Sequence, residues 1–227
     1  MLFNRLKKSE VVYSLSDEYK EALSIFNEPY VYNETTHGCP AVSVSSTRLY
    51  AINAPADLEF IYNPKTNQMN ANSTSTNTSD KFTNQINNFL SFQIEKNKDI
   101  ITIQINMPYI FFTDTKDIEI NLLPGTDIEM NNCKFIPGSF NIYNWSRTLN
   151  FSIQVIDNKS MVSFKWHIDK PMMFVFFNKP VNISYKIMND NMLSMVQQVK
   201  NIATVRHNIT KVFNTVLKRR PKNILWN

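Results

Sequence analysis

Apolar and polar residues alternate over several short stretches of this chain, and an alternation with a period of two is typical of β-strands with one buried face. The densest group lies in residues 135–185, where apolar runs occupy residues 149–156, 161–168 and 172–177. Each run is rich in β-branched and aromatic residues, and each is bounded by Asp, Asn, Lys or Pro residues that favour turns. We predict a meander of antiparallel strands here.

Earlier parts of the chain repeat this pattern. Leu58, Phe60 and Tyr62 alternate with other residues, which predicts one strand. Two further alternating stretches, residues 90–94 and 101–105, are separated by a short polar break and predict a hairpin. Shorter strands are predicted at residues 41–44, 49–52, 109–113 and 118–122.

The apolar spacing changes to three or four after residue 189, which predicts an amphipathic α-helix over residues 189–218. Asn189 or Asp190 can cap its first turn, and Pro221 stops it. A stripe this apolar needs a partner, either the outer face of the sheet or the same helix in a second subunit. We therefore predict a protein partner or a homo-oligomer. The stripe contains Met192, Met195, Val196, Val199, Ile202, Ala203, Ile209, Val212, Phe213 and Val216.

These elements predict a mainly β fold, either an antiparallel β-sandwich or a cupin-like jelly roll, with one C-terminal α-helix and a short N-terminal arm. The arm covers residues 1–37 and the body residues 38–188. Within the body, residues 63–81 are polar and of low complexity, and we predict an exposed, flexible loop there. Residues 189–227 form the helix and a basic tail.

Composition narrows the range of functions. The chain holds only 3 glycines, which excludes the glycine-rich loops that bind phosphates. The two cysteines, Cys39 and Cys133, lie far apart, so we expect free thiols and no zinc ribbon. No apolar run approaches the roughly 20 residues of a membrane span, and residues 1–10 lack the apolar core of a signal peptide. We expect no membrane association and no cofactor.

His167 and Asp169 are the sharpest candidates for chemistry, because alternate residues of a strand point to the same face. A later histidine, His207, would complete the two-His-one-carboxylate set of non-haem iron enzymes. The alternative function is therefore a cupin-like, metal-dependent oxygenase-type enzyme. Two features oppose it: His207 lies within the predicted helix, and Asp169 begins an Asp-Lys-Pro turn of the kind that Asp commonly stabilises. We favour a structural role for these residues.

Trp145, Arg147 and Tyr143 form the second candidate site. An arginine stacked on an aromatic ring can bind a sugar, a base or a carboxylate. The alternative is a structural corner that ties strands together, and we favour it.

The net charge of +5 is concentrated in part at the chain ends. A small basic excess at the termini is usually a solvated surface, so we predict at most weak nucleic-acid binding. The C-terminal basic patch contains Lys211, Lys218, Arg219, Arg220 and Lys222.

Three motifs occur in a fixed order: GCPAV at residues 38–42, GSFNIYNWSR at residues 138–147 and PMMFVFF at residues 171–177. In this order they resemble uncharacterised proteins encoded by tailed phages of marine cyanobacteria and their relatives. The resemblance implies a phage protein with a β-sandwich or cupin-like body, and it implies no catalytic residues.

The leading hypothesis is a phage-encoded, non-enzymatic structural or interaction protein. It acts either as a virion component or as a binding module directed at a host component, in the host cytoplasm.

Overall fold

The computed structural model describes residues 8–16, 31–33, 48–54, 56–73, 92–97, 100–200, 218 and 220–225. Within these ranges the chain is mainly β, with several antiparallel pairings and a C-terminal helix, so the predicted fold class is confirmed. The strands are β1 (Ser9–Leu15), β2 (Val31–Asn33), β3 (Leu49–Asn53), β4 (Leu58–Asn63), β5 (Gln68–Ser73), β6 (Phe92–Asn97), β7 (Ile100–Phe112), β8 (Glu119–Pro124), β9 (Glu129–Asn131), β10 (Cys133–Phe135), β11 (Gly138–Asn141), β12 (Thr148–Val155), β13 (Val162–Trp166), β14 (Pro171–Phe177) and β15 (Val181–Tyr185), and the helix is α1 (Asp190–Lys200).

The strands form three sheets in the part of the chain that the structure describes. The large sheet has the order β10-β12-β7-β1-β15, and β6 also pairs with β7. A second sheet has the order β11-β8-β14-β3-β2, and a third has the order β5-β4-β13-β9.

Aromatic contacts pack the large sheet against both of the smaller sheets. Phe111 of the large sheet lies 6.2 Å from Phe177 of the second sheet, measured between ring centroids. Phe151 of the large sheet lies 5.6 Å from Phe164 of the third sheet. Their inward-facing residues belong to one hydrophobic core. The arrangement is therefore sandwich-like, with the large sheet as one layer.

Strand β1 differs from the predicted N-terminal arm. It lies inside the large sheet, antiparallel to β7 on one side and parallel to β15 on the other. Residues 11–15 are all buried, and Val11 and Val12 contact different hydrophobic clusters on the two faces of the sheet. A strand that is buried on both faces has no alternation of apolar and polar residues. The sequence therefore lacks the period of two here, and β2, in the same predicted arm, pairs with β3.

Strand β7 is one strand of 13 residues, where the sequence predicts two shorter ones. Pro108 lies where β7 changes partners, because β6 pairs with residues 100–105 and β1 with residues 109–112. Across from it, the register with β12 shifts between Thr148 and Asn150. Proline has no N–H for a neighbouring strand, so it suits an interruption of the ladder.

The predicted meander is wrong in its pairing, although its three runs are strands. Strands β12, β13 and β14 follow one another in sequence, yet each lies in a different sheet. The alternation of apolar residues reports which face of a strand is buried but does not identify the neighbouring strand.

The predicted loop at residues 63–81 is partly a hairpin. Residues 68–73 form β5, which pairs with β4 along its whole length. The turn places Asn67 at a positive φ of 57°, a conformation that Asn tolerates better than most residues, and the Tyr62 hydroxyl donates to Asn67 Oδ1 at 3.0 Å. Residues 74–81 lie outside the described residues.

Helix α1 packs on the outer face of the large sheet. Asn189 caps it, since its Oδ1 accepts a hydrogen bond from the Met192 N–H at 2.9 Å. Met192, Met195 and Val199 are fully buried in a second hydrophobic cluster that includes outward-facing residues of β1 and β7. This part of the apolar stripe is covered by the chain's own sheet.

Several predicted features fall outside the described residues. They are the strand at residues 41–44, the GCPAV motif, and the helix and stripe residues from 201 to 217. In the described ranges, no helix has the length and apolar character needed to cross a bilayer.

Candidate functional site

The loop of residues 142–147, which carries the predicted Tyr143, Trp145 and Arg147, is built on Asn141 at the end of β11. The Asn141 side-chain oxygen accepts from the backbone N–H of Tyr143 at 2.9 Å and of Asn144 at 3.3 Å. Its amide donates to the Lys116 carbonyl at 2.7 Å. An Asn side chain that binds backbone groups two and three residues ahead fixes a tight turn. The loop is thereby tied to the connection between β7 and β8.

Trp145 and Arg147 are brought together as the sequence predicts. The centre of the Arg147 guanidinium lies 5.1 Å from the centroid of the Trp145 ring, and both residues are half-buried. Phe140 packs against the same ring, with 5.3 Å between centroids. Burial lowers the pKa of the Arg147 guanidinium below its ordinary value, because removal from water disfavours the charged form.

Arg220 is buried, which corrects its assignment to an exposed basic patch. Its side chain is 1% exposed. It donates to the Tyr143 carbonyl at 2.8 Å and to the Thr113 carbonyl, its guanidinium centre lies 3.9 Å from the Tyr143 ring centroid, and Asp114 lies 3.6 Å away. Burial lowers the pKa of Arg220, while Tyr143 and Asp114 act in the opposite direction. Arg220 therefore holds the Tyr143 loop to the body.

The residues that follow Arg220 are fixed in the same place. The backbone N–H groups of Ile224 and Leu225 donate to the two carboxylate oxygens of Asp114, at 2.9 and 3.2 Å. The Asn189 amide donates to the Ile224 carbonyl at 2.9 Å, so the residue that caps α1 also binds this segment. Residues 220–225 are therefore fixed against Asp114 and against the residue that caps α1.

The structure describes two of the other four residues of the predicted basic patch. Lys218 and Lys222 are exposed, whereas Lys211 and Arg219 lie outside the described residues. Arg220 is buried and donates to the carbonyls of Tyr143 and Thr113, so the exposed basic patch in the described residues is smaller than predicted. Nucleic-acid binding stays a prediction.

His167 lies at a shallow cleft of about 470 Å³ between the turn before β9 and the turn before β14. Its Nε2 is 3.3 Å from Glu129 Oε1, and its Nδ1 is 3.9 Å from Asp57 Oδ1. Asp57 also accepts from the Ile168 N–H at 2.9 Å. Lys165 lies 3.7 Å from Glu129 as well, so acidic and basic groups alternate here.

The predicted iron ligands do not come together in the described residues. Asp169 is exposed and has a positive φ of 59° in its turn, whereas the two ring nitrogens of His167 face two different carboxylates. His207 lies outside the described residues. Within the described ranges, no group of three or more His, Cys, Asp or Glu side chains is placed to hold a metal ion. The iron site that includes His207 stays an alternative hypothesis without support from the described residues.

Cys133 is a buried free thiol on β10. Burial raises its pKa to about 11, against a weaker opposing effect of the Asn131 backbone. A thiol is nucleophilic only as the thiolate, so Cys133 is an inert core residue at neutral pH.

The sequence alone does not identify Asp114 as a partner of Arg220, or Glu129 and Asp57 as partners of His167. Asp114 is 106 residues from Arg220 (220 minus 114), and Asp57 is 110 residues from His167 (167 minus 57). No local pattern reports such distant pairs.

Comparisons of this chain with protein-family models, with curated proteins and with solved structures found no match.

Proposed function

We propose that this chain is a non-enzymatic structural or interaction protein of a tailed phage, and that it binds a protein partner through Trp145 and Arg147. The proposal rests on the phage resemblance of the sequence and on the setting of Arg147.

The observation that carries the proposal is the position of Arg147 against the Trp145 ring. Arg147 is half-buried on Trp145, and within the described ranges no carboxylate lies within ion-pair distance of it. Arg and Trp are also the residues most enriched at the energetic centres of protein interfaces.

The oxygenase-type alternative gains no support from the structure. His167 and Asp169 point to different surroundings, and the neighbours of His167 are the carboxylates of Asp57 and Glu129. We therefore keep the interaction role as the proposed function.

Quantitative mass spectrometry of purified particles of the encoding phage tests this function. We expect peptides of this chain at a fixed copy number per particle, and a copy number several-fold lower for a phage that carries Arg147→Ala. Lys134→Ala is the matched control, because Lys134 is an exposed cation on the distant strand β10.

A host-directed role gives a different result in the same design. The chain is then missing from particles, and cross-linking in infected cells joins it to one host protein in the wild type and in Lys134→Ala but not in Arg147→Ala. A chain that is missing from particles and also shows no Arg147-dependent cross-link would refute the proposed function.

A further inference from the structure

The aromatic rings of the Tyr143–Arg147 loop are already engaged within the chain. The Trp145 ring contacts the Arg147 guanidinium and the Phe140 ring, and the Tyr143 ring contacts the Arg220 guanidinium. A sugar or a nucleobase binds by stacking on an open aromatic face. Such a ligand would have to displace a cation that is already stacked, which disfavours both ligand classes.

The guanidinium of Arg147 is the group of the loop that is left to recognise a ligand. It carries five N–H donors in a planar fork. Burial lowers its pKa, and among the residues that the structure describes no carboxylate opposes this effect, whereas Arg220 has Asp114 beside it. A charge that is partly removed from water without a partner is unfavourable, and an incoming anion removes that cost.

Ser146 provides a second observation in the same loop. Its side chain is 0% exposed, and its hydroxyl has no hydrogen-bond partner among the described residues. Buried hydroxyls are paired in the large majority of cases. Two adjacent residues of the loop therefore hold polar groups whose hydrogen-bonding capacity is unused within the described structure.

We propose that Arg147, held against Trp145, binds a side-chain carboxylate in an acidic segment of a protein partner. This inference rests on the proposed function and adds the chemistry of the partner. A planar guanidinium matches a carboxylate in a two-point hydrogen-bonded pair.

A phosphate of nucleic acid has matching chemistry, but the surroundings favour a carboxylate. Nucleic-acid affinity comes from several cations that neutralise successive phosphates. The other arginine at this loop, Arg220, is buried and donates to the carbonyls of Thr113 and Tyr143. Arg147 is thus the available guanidinium of the loop, and one guanidinium suits a single side-chain carboxylate. The exposed Lys222 lies on the adjoining segment, so a phosphate ligand is included as a competing outcome of the test.

The test is a titration of ¹⁵N-labelled protein with a capped hexaglutamate peptide, followed by NMR of the tryptophan indole N–H signals. The Trp145 signal, assigned from the spectrum of Trp145→Phe, is expected to shift and saturate. Arg147→Gln is expected to weaken this binding by about tenfold or more, which is the loss of one charged contact. Lys134→Gln removes an exposed charge elsewhere and is expected to bind as the wild type does.

The buried Trp166 indole serves as the internal control for folding, because an unchanged signal shows that the aromatic core is intact in each variant. A Trp145 signal that stays in place, or equal binding by Arg147→Gln with an unchanged Trp166 signal, would overturn the inference. So would tighter binding of hexathymidylate than of hexaglutamate, since that result assigns the site to phosphate. Any of these results leaves the particle and cross-linking experiment free to succeed, so the two proposals fail separately.

Discussion

Arg220 is buried, although it lies in a basic stretch of sequence that predicts an exposed tail. The run of Lys and Arg around Pro221 has the composition of a solvated basic tail, yet one member is buried against Tyr143, Thr113 and Asp114. Burying an arginine is unfavourable unless its donors and its charge are matched. Here two carbonyls, one ring and one carboxylate match the charge and the terminal nitrogens, while the buried Nε has no hydrogen-bond partner among the described residues.

Replacement of Arg220 by Met is expected to lower the free energy of unfolding by about 3 kcal/mol. The change removes the donor to the carbonyls of Thr113 and Tyr143 and the positive charge beside Asp114, which keeps only its bonds from the N–H groups of Ile224 and Leu225. Breaking a buried pair from one side is costly. Urea unfolding followed by tryptophan fluorescence measures the loss. Lys222→Met, at an exposed position two residues on, is the control and is expected to be neutral. Equal unfolding midpoints for both variants would contradict a structural role for Arg220.

Of the two cation–aromatic contacts at the candidate site, the sequence predicts the one between Arg147 and Trp145. Trp145 and Arg147 are two residues apart, so a contact between them follows from their spacing and from the affinity of guanidinium groups for aromatic rings. The partnership of Tyr143 with Arg220 joins residues 77 positions apart (220 minus 143). It depends on the tertiary fold, and no spacing rule reports it.

Among the elements, those with one exposed face are the predictable ones. Strands β12 and β13 alternate buried and half-buried residues along their whole length, and their sequences show the same period of two. Strand β1 is buried on both faces because α1 covers the outer side of the large sheet. Its pattern of consecutive apolar residues is therefore a consequence of the helix, which lies at the other end of the sequence.

Helix α1 is expected to depend on its packing against the sheet. Met195 is 0% exposed, and Met195→Ala is expected to cost about 3 kcal/mol of stability through lost contacts and the cavity that remains. Gln197→Ala changes an exposed position of the same helix and is expected to be neutral. Thermal melts measure the stability, and light scattering measures the mass.

The two measurements together decide what the described part of the apolar stripe contacts. A lower melting temperature at unchanged mass agrees with packing on the chain's own sheet. An oligomer that dissociates while the melting temperature stays constant would mean that α1 pairs between subunits and that its place on the sheet is wrong.

The whole molecule is joined by contacts between distant parts of the sequence. Ser9 pairs with Val181 at one end of β1, and the Ser14 hydroxyl donates to the Lys186 carbonyl at 2.5 Å. The Tyr50 hydroxyl donates to the Val181 carbonyl at 2.9 Å and so links the second sheet to the large one. Because such contacts close long stretches of chain, we expect folding to be slow and cooperative. Residues 9–15 and 181–186 are therefore not separate arms or tails.

Removal of strand β1 from the chain tests these long-range contacts directly. Deletion of residues 1–16 removes the partner of β7 residues 109–112, separates β15 from the sheet and takes away part of the surface on which α1 packs. Unpaired backbone groups and exposed apolar side chains would follow at three places at once. We expect the truncated chain to lose its cooperative thermal transition, as measured by calorimetry. An arm that only rests on the body would instead leave the transition of the body intact.

Point variants make the same test in the full-length chain. Val11 is 0% exposed in the main core, so Val11→Asp buries an unpaired charge and is expected to cost more than about 3 kcal/mol. Glu10→Gln, at the exposed neighbouring position, keeps an acceptor for the Asn182 amide and is expected to change stability by less than about 0.5 kcal/mol. If Val11→Asp melts at the wild-type temperature, residues 9–15 are not an interior strand. Residues 109–112 of β7 must then pair with a different strand, because buried backbone N–H and C=O groups are almost always paired.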